Sequence, residues 1–432
     1  MTLDAEVRAL ERVARARPDD GAAQVGLAAA LVRMGRPREA LEAFIRAASA
    51  EPGDPEVERA LRETSWWTGP RGPGGGTRQV AVPGLRRKPD LVTARRLGQA
   101  GAGLAVGGGI VFARVAEEAG DTRLVALALA SGRELWSREE TVAAAAPPVY
   151  SDGTVLDAAL VDASGAMVFR VRARDAATGA DRWVRTSELT DVQPGATFLG
   201  ACVSGRYAAF AISPHGKKTF EPLVRVLDAG RGDDVEKLAL RGLEDAALEA
   251  DHLAFATGHD VRRVELRHLP QSVRVWTSAT EDPPKRIIVS GANVVVLTDQ
   301  GVSVHDRGRQ ALLWRQERRG LYNAEAIVVT PRMVVASWQR AATSALDLAT
   351  GGFLWADEPM ARLLSASEDT LYAVSREGLV IRGIDLATGE ALWQADLPRL
   401  SRELDGQGVH KVGVAPSRVV GLTKEGVLFL LA

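Results

Sequence analysis

Two patterns of apolar spacing divide the chain. Residues 1–67 are rich in Ala, Leu, Glu and Arg and contain no alternating stretch, which predicts helices. From about residue 91 the period falls to two. Short runs of Val, Leu and Ile end at glycine-bounded turns, and many short strands follow from that. Between the two lies Thr68-Gly-Pro-Arg-Gly-Pro-Gly-Gly-Gly-Thr77. Its glycines raise chain entropy and its prolines break ladders, so neither helix nor strand is expected there. The predicted organisation is a helical domain over 1–67, a linker over 68–90 and a β domain over 91–432.

The β region repeats one short phrase. Its clearest copies are Ala345-Leu-Asp-Leu-Ala-Thr-Gly-Gly-Phe-Leu-Trp355 and Gly383-Ile-Asp-Leu-Ala-Thr-Gly-Glu-Ala-Leu-Trp393. A strand runs into Asp-x-x-Thr-Gly, turns, and runs out through a Trp. The Trp positions are Trp136, Trp183, Trp276, Trp314, Trp355 and Trp393, and Asp175, Asp306, Asp347 and Asp385 stand eight residues before four of them. In the same slot Trp136 has Ala128 and Trp276 has His268. A seventh copy beginning at Val226 has Glu236 where Trp is expected. Successive copies lie 38 to 53 residues apart, the period of a four-stranded propeller blade.

An eighth unit is split between the chain ends. Strands near Lys411–Val414, Arg418–Thr423 and Val427–Leu431 lack a final turn-and-Trp strand, and Asp90–Arg96 is an orphan strand before the first blade. Joining them closes the ring and removes an open sheet edge. The expected fold is therefore mainly β, an eight-bladed propeller closed by an N-terminal strand, with seven blades as the alternative.

In the helical region Pro18-Asp-Asp and Pro52-Gly-Asp recur 34 positions apart. Residues 21–54 resemble one tetratricopeptide repeat, whose period is 34 residues. Ala28, Ala40 and Ala47 stand where two helices approach closely, and Phe44 fills the gap. Gln24 replaces the repeat's usual Trp. Residues 3–17 resemble the second helix of a truncated unit, and Asp54–Trp66 a capping helix with Asp54 as N-cap and Pro55 at its first position. Such a unit either holds a partner peptide or serves as a cap or dimer contact.

The strand-turn-Trp phrase resembles the repeat of pyrroloquinoline-quinone-type propellers over about 91–432. Each residue has an architectural reason. The Asp accepts turn N–H groups, the Gly takes the positive-φ position, and the Trp packs between blades and buries roughly 200 Å². At about 25 cal/mol/Å² that is several kcal/mol per blade. The resemblance implies either a quinone-dependent dehydrogenase, with a vicinal disulfide and a calcium site, or a cofactor-free scaffold. The scaffold branch includes the propeller subunit of the outer-membrane barrel-assembly machine, which implies a rigid platform for protein contacts. A single cysteine, Cys202, excludes the disulfide.

Composition narrows the function further. A net charge of -1 and scattered basic residues argue against nucleic acid as the partner. No run approaches a membrane span, and the start Met1-Thr-Leu-Asp-Ala-Glu6 is unlike a signal peptide, so the expected location is cytoplasmic. His252, His259 and His268 lack the short spacing of a zinc site, and no Gly-x-Ser-x-Gly elbow occurs. Phosphate cradles are incomplete at Thr68–Thr77 and at Gly216–Thr219. No catalytic, cofactor-binding or metal residue is assigned.

The candidates for partner contact are Trp66 and Trp67 at the end of the helices, and Lys217, Lys218 and Phe220 in the insertion Ser213–Pro222. Arg318, Arg319 and Tyr322, in the connection Arg315–Tyr322, complete the set; Ser401–His410 is a further loop of this kind. Expected function is a non-catalytic protein-interaction scaffold of undetermined oligomeric state. The alternatives are a ligand-sensing or enzymatic propeller that uses its central channel, and an envelope-associated assembly factor.

Overall fold

The computed structural model describes residues 3–33, 37–50, 77–78, 84–117, 121–163, 166–189, 195–213, 221–258, 262–317, 323–339, 342–357, 361–415 and 418–432.

Three helices open the chain: α1 (Leu3–Ala16), α2 (Gly21–Arg33) and α3 (Pro37–Ala50). Asp20 caps α2, its Oδ1 accepting the Ala23 N–H at 3.0 Å. Ala28, Ala40 and Ala47 are buried between α2 and α3 with Phe44, as the repeat spacing requires. Gln24 is buried where the repeat has an indole. Its amide donates to the carbonyls of Ala14 (3.3 Å) and Pro18 (3.4 Å), so hydrogen bonds tie α1 to α2 where ring packing usually does.

The rest is an eight-bladed propeller. Eight sheets form, each running from an inner strand at the channel to an outer strand. Successive inner strands neighbour one another around a complete circle, with blade 8 (inner strand Val409–Ala415) beside blade 1 (inner strand Ala100–Gly107). The unit with Glu236 is a full blade 3, Thr197–Ser204 through Asp234–Ala239. Blade 8 joins Val409–Ala415, Arg418–Thr423 and Val427–Leu431 to the N-terminal strand Leu91–Arg96, in the register Thr93↔Leu430. Backbone hydrogen bonds between Asp90 and Ala432 hold its tip. The two chain ends thus supply one blade, and no sheet edge is left open at the closure.

Connectivity gives the disc two faces. One carries the hairpins within each blade that join strands one to two and three to four; this is the hairpin face. The other carries the connections from strand two to three and from blade to blade; this is the joining face. The insertion 214–220 lies between Tyr207–Ser213 and Leu223–Asp228, and 318–322 follows Ala311–Glu317, so both attach at the joining face.

Two expected loops are different in the structure. Arg315–Glu317 continues the outer strand of blade 5, because Arg315 pairs with Ser303 and is held by Asp282 at 2.9 Å. The stretch after Trp393 is not a solvated loop. It folds into a short helix (Leu397–Leu400) and a 3-10 turn (Arg402–Leu404), and Leu397, Leu404 and Val409 are wholly buried. Apolar residues at 397, 400, 404 and 409 gave the signal for that packing.

Candidate functional site

The chemistry of the repeat is concentrated at the seams between blades. In blade 6, Asp347 Oδ1 accepts the N–H groups of Ala349 (3.1 Å) and Thr350 (2.8 Å) and the Thr350 hydroxyl (2.8 Å). The Thr350 hydroxyl and amide hold the Asp347 carboxyl below the usual carboxylate range. Asp175 and Asp385 build the same turn. At both, burial pushes the carboxyl up, and the hydrogen bonds and a nearby Arg outweigh it, so the net shift is downward. Asp306 Oδ1 accepts the Arg309 N–H at 2.7 Å.

The turns at Asp175, Asp347 and Asp385 then receive the indole of the preceding blade. Trp136, Trp314 and Trp355 donate Nε1–H to the carbonyls of Ala176 (2.9 Å), Leu348 (2.8 Å) and Leu386 (3.0 Å), each the residue immediately after the motif Asp of the next blade. The same indoles lie flat on the turn glycines. A Cβ on Gly351 (φ 72°) would stand 2.7 Å from Trp314, and one on Gly389 (φ 76°) 2.7 Å from Trp355. Glycine is therefore required twice, for its dihedral and for the ring it supports. Half-buried Trp183 packs on Gly232 in the same way.

Where the phrase fails, the seam changes chemistry. Between blades 3 and 4, Glu236 meets Arg267 at 3.5 Å in place of an indole, and the next turn carries Ser272 (φ 49°) where others have glycine. Between blades 4 and 5, Gln310 (φ 56°) takes the glycine position. Trp276 packs on His305 instead, with ring centroids 5.0 Å apart. Burial lowers the His305 pKa from 6.5 to about 4, so this imidazole is neutral at pH 7. On the second and third strands of blade 4, His252 and His268 are cross-strand partners. Asp251 contacts both, at 2.6 Å from His252 Nδ1 and 3.0 Å from His268 Nε2. Their sequence spacing of 16 hid a pairing that only the hairpin register reveals.

The seam between blades 7 and 8 has no turn to receive its indole, because blade 8 takes its outer strand from the other chain end. Residues 84–86 fill that place. Trp393 Nε1–H donates to the Leu85 carbonyl at 2.6 Å, and the Leu85 N–H donates to the Tyr372 hydroxyl at 2.8 Å. The Gly84 N–H donates to Asp369 Oδ1 at 3.0 Å. Arg86 reaches Asp385 at 2.5 Å and Asp369 at 3.5 Å. Burial pushes the Tyr372 hydroxyl up to about 12. Any Cβ at Gly84 would collide with Ser367, Asp369 and Thr370. On composition alone 68–90 reads as linker; its last residues are a strap built into the ring. At the opposite side of blade 8, Thr93 occupies the indole position against Gly132 of blade 1.

The residues proposed for partner contact, Trp66, Trp67, Lys217, Lys218, Phe220, Arg318, Arg319 and Tyr322, all lie outside the described residues, as do the capping helix and His259. Trp338 is fully buried in blade 6 and donates Nε1–H to the Thr298 carbonyl of blade 5 at 2.9 Å. It stands outside the repeated phrase, so periodicity gave no signal. Arg114 and Asp157 form a buried ion pair between blades 1 and 2, and burial lowers the Arg114 pKa to about 10. On the rim, Leu312, Leu313, Phe353 and Leu354 are exposed on the outer strands of blades 5 and 6.

The residues present do not fit a quinone–calcium centre. Cys202 is the chain's one cysteine and is buried in the inner strand of blade 3. Among the described residues no three of His, Cys, Asp and Glu converge as metal ligands. The channel itself carries a short strand, Thr77–Arg78, paired in parallel with the inner strand of blade 6.

Four-strand blades sealed by indole-on-glycine seams define a repeat propeller of the quinoprotein type, here joined to tetratricopeptide-type helices. The comparisons agree. The family model described as outer membrane protein assembly factor BamB matches residues 86–357 and 259–429, and the chain belongs to that family. The tetratricopeptide repeat model matches residues 4–63. No curated protein matches the sequence.

Solved structures similar to the chain include BamB from Moraxella catarrhalis, with 17% identity, a TM-score of 0.54, and coverage of 79% of this chain and 97% of that one. Sqt1 from Chaetomium thermophilum bound to the N-terminus of ribosomal protein L10 is similar at 13% identity and TM-score 0.58, covering 79% and 99%. The quinohemoprotein alcohol dehydrogenase ADHIIG from Pseudomonas putida HK5 is similar at 11% identity and TM-score 0.59, covering 83% and 80%. At these identities the structures share the fold.

Proposed function

We propose that this protein is a non-catalytic scaffold that holds protein partners through its tetratricopeptide-type helices and the loops of its propeller. The observation that carries this reading is how the repeat's polar and aromatic residues are used. Asp175, Asp347 and Asp385 are committed to turns, and Trp136, Trp314, Trp355 and Trp393 to seams. What such a ring offers is a rigid platform, and function on rigid platforms resides in loops and appended modules.

Two further points support the reading. The helical unit is of a class used for peptide capture, and the family description is that of an assembly factor. One similar propeller, Sqt1, was solved with a protein N-terminus bound.

The test is affinity purification of the full chain at native expression, beside a variant lacking residues 1–63. A stoichiometric protein partner that the full chain retains and the variant loses supports the scaffold. A partner-free monomer whose melting temperature rises with a small molecule would replace it with a ligand-binding propeller.

A further inference from the structure

The inner strand of a propeller blade turns one edge toward the central channel, and the backbone N–H and C=O groups of that edge lack a ladder partner unless another strand joins it. In blade 6 the edge of Ala324–Val329 is paired. Thr77 stands opposite Val328 and Arg78 opposite Val329, in parallel, and the pair also neighbours the inner strands of blades 5 and 7. Among the described residues no other blade gains a strand on its channel side.

Two separate anchors fix the direction of the chain. The inner strand of blade 6 runs from the joining face toward the hairpin face, and parallel pairing gives Thr77–Arg78 the same direction. Six residues later Gly84 lies on the hairpin face, bound to Asp369 at the tip of the first hairpin of blade 7. Six residues span at most about 20 Å, enough to pass from one anchor to the other.

We propose that the channel edge of blade 6 is a strand-accepting site, and that the chain fills it in cis with its own Thr77–Arg78, which runs toward the hairpin face. The occupant is recognised through main-chain hydrogen bonds, the mode of β-augmentation. This pairing places the protein's own backbone inside the channel, beside the inner strands of blades 5, 6 and 7.

The test is cysteine pairing in the full chain with Cys202→Ala. Thr77→Cys with Val328→Cys should form an intrachain crosslink in the monomer under mild oxidation or with a short bis-maleimide. Thr77→Cys with Val106→Cys, across the channel in blade 1, should form at least tenfold less. An intermolecular crosslink, giving covalent dimers, would show that a second copy supplies the strand. Equal or negligible yields for both pairs would overturn the site itself. A second readout needs no substitution: the bond after Arg78 should resist trypsin in the native chain and be cut on unfolding. Cleavage there at the rate of an unstructured peptide would equally overturn the proposal.

Discussion

The seam between blades 6 and 7 and the seam between blades 7 and 8 solve one problem with different parts of the chain. At the first, Trp355 rests on Gly389 and donates to Leu386, all within two consecutive repeats. At the second, Trp393 has no following turn and donates to Leu85, from more than 300 positions earlier in sequence. The indole asks only for a flat surface and a carbonyl at the right height. A repeat hairpin or a glycine-led strap can provide both. The difference lies in the entropy of assembly. The first seam closes locally, while the second must recruit the N-terminal segment and carries the loop-closure cost of the whole ring.

That comparison can be broken most severely at the two glycines. Gly84→Val should expel the strap and Gly389→Val should expel Trp355, each destabilising the propeller by about 3 kcal/mol or more in denaturant titrations. If Gly84→Val is neutral, the strap is not part of the seal. Next in size is acid sensitivity at a seam that lacks its glycine. His305 has a folded pKa lowered from 6.5 to about 4, so its contribution is complete above pH 6.5 and is lost as pH falls toward 4. A shift of this size corresponds to about 3 kcal/mol. The melting temperature of the wild type should therefore drop across that window, and His305→Leu should flatten the drop.

A smaller change sharpens the strap. Tyr372→Phe removes the acceptor for the Leu85 N–H and should cost about 1–3 kcal/mol, whereas Tyr207→Phe, with no strap to hold, should be nearly silent. Smallest is the turn itself. Asp347→Ala leaves three donors to water and should cost about 1 kcal/mol, measured by chemical denaturation.

The motif residues were legible in sequence because each copy repeats its own reason: a carboxylate for a turn, a glycine for a ring, an indole for a seam. The split eighth blade was legible because strands were left over at both ends. Leu85 and Gly84 were not, since a single strap has no second copy to compare with and its partners Asp369, Tyr372 and Trp393 come from the far end of the chain. The Asp251–His252–His268 group was hidden for a related reason. A hairpin register, rather than a sequence interval, brings His252 opposite His268. Trp338 was missed because it lies on a second strand, away from the phrase that gave the other indoles their meaning.

A double-mutant cycle tests the equivalence of strap and hairpin most directly. Trp393→Ala and Trp355→Ala would each be measured in the wild type and in Gly84→Val by denaturant unfolding. Each indole should cost about 3–5 kcal/mol in the wild type. If the strap is the eighth turn, Gly84→Val should reduce the cost of Trp393→Ala by at least about 1 kcal/mol and leave that of Trp355→Ala unchanged within about 0.5 kcal/mol. Additive effects at both positions would contradict it, and the N-terminal segment would then be a passenger on a ring that closes without it.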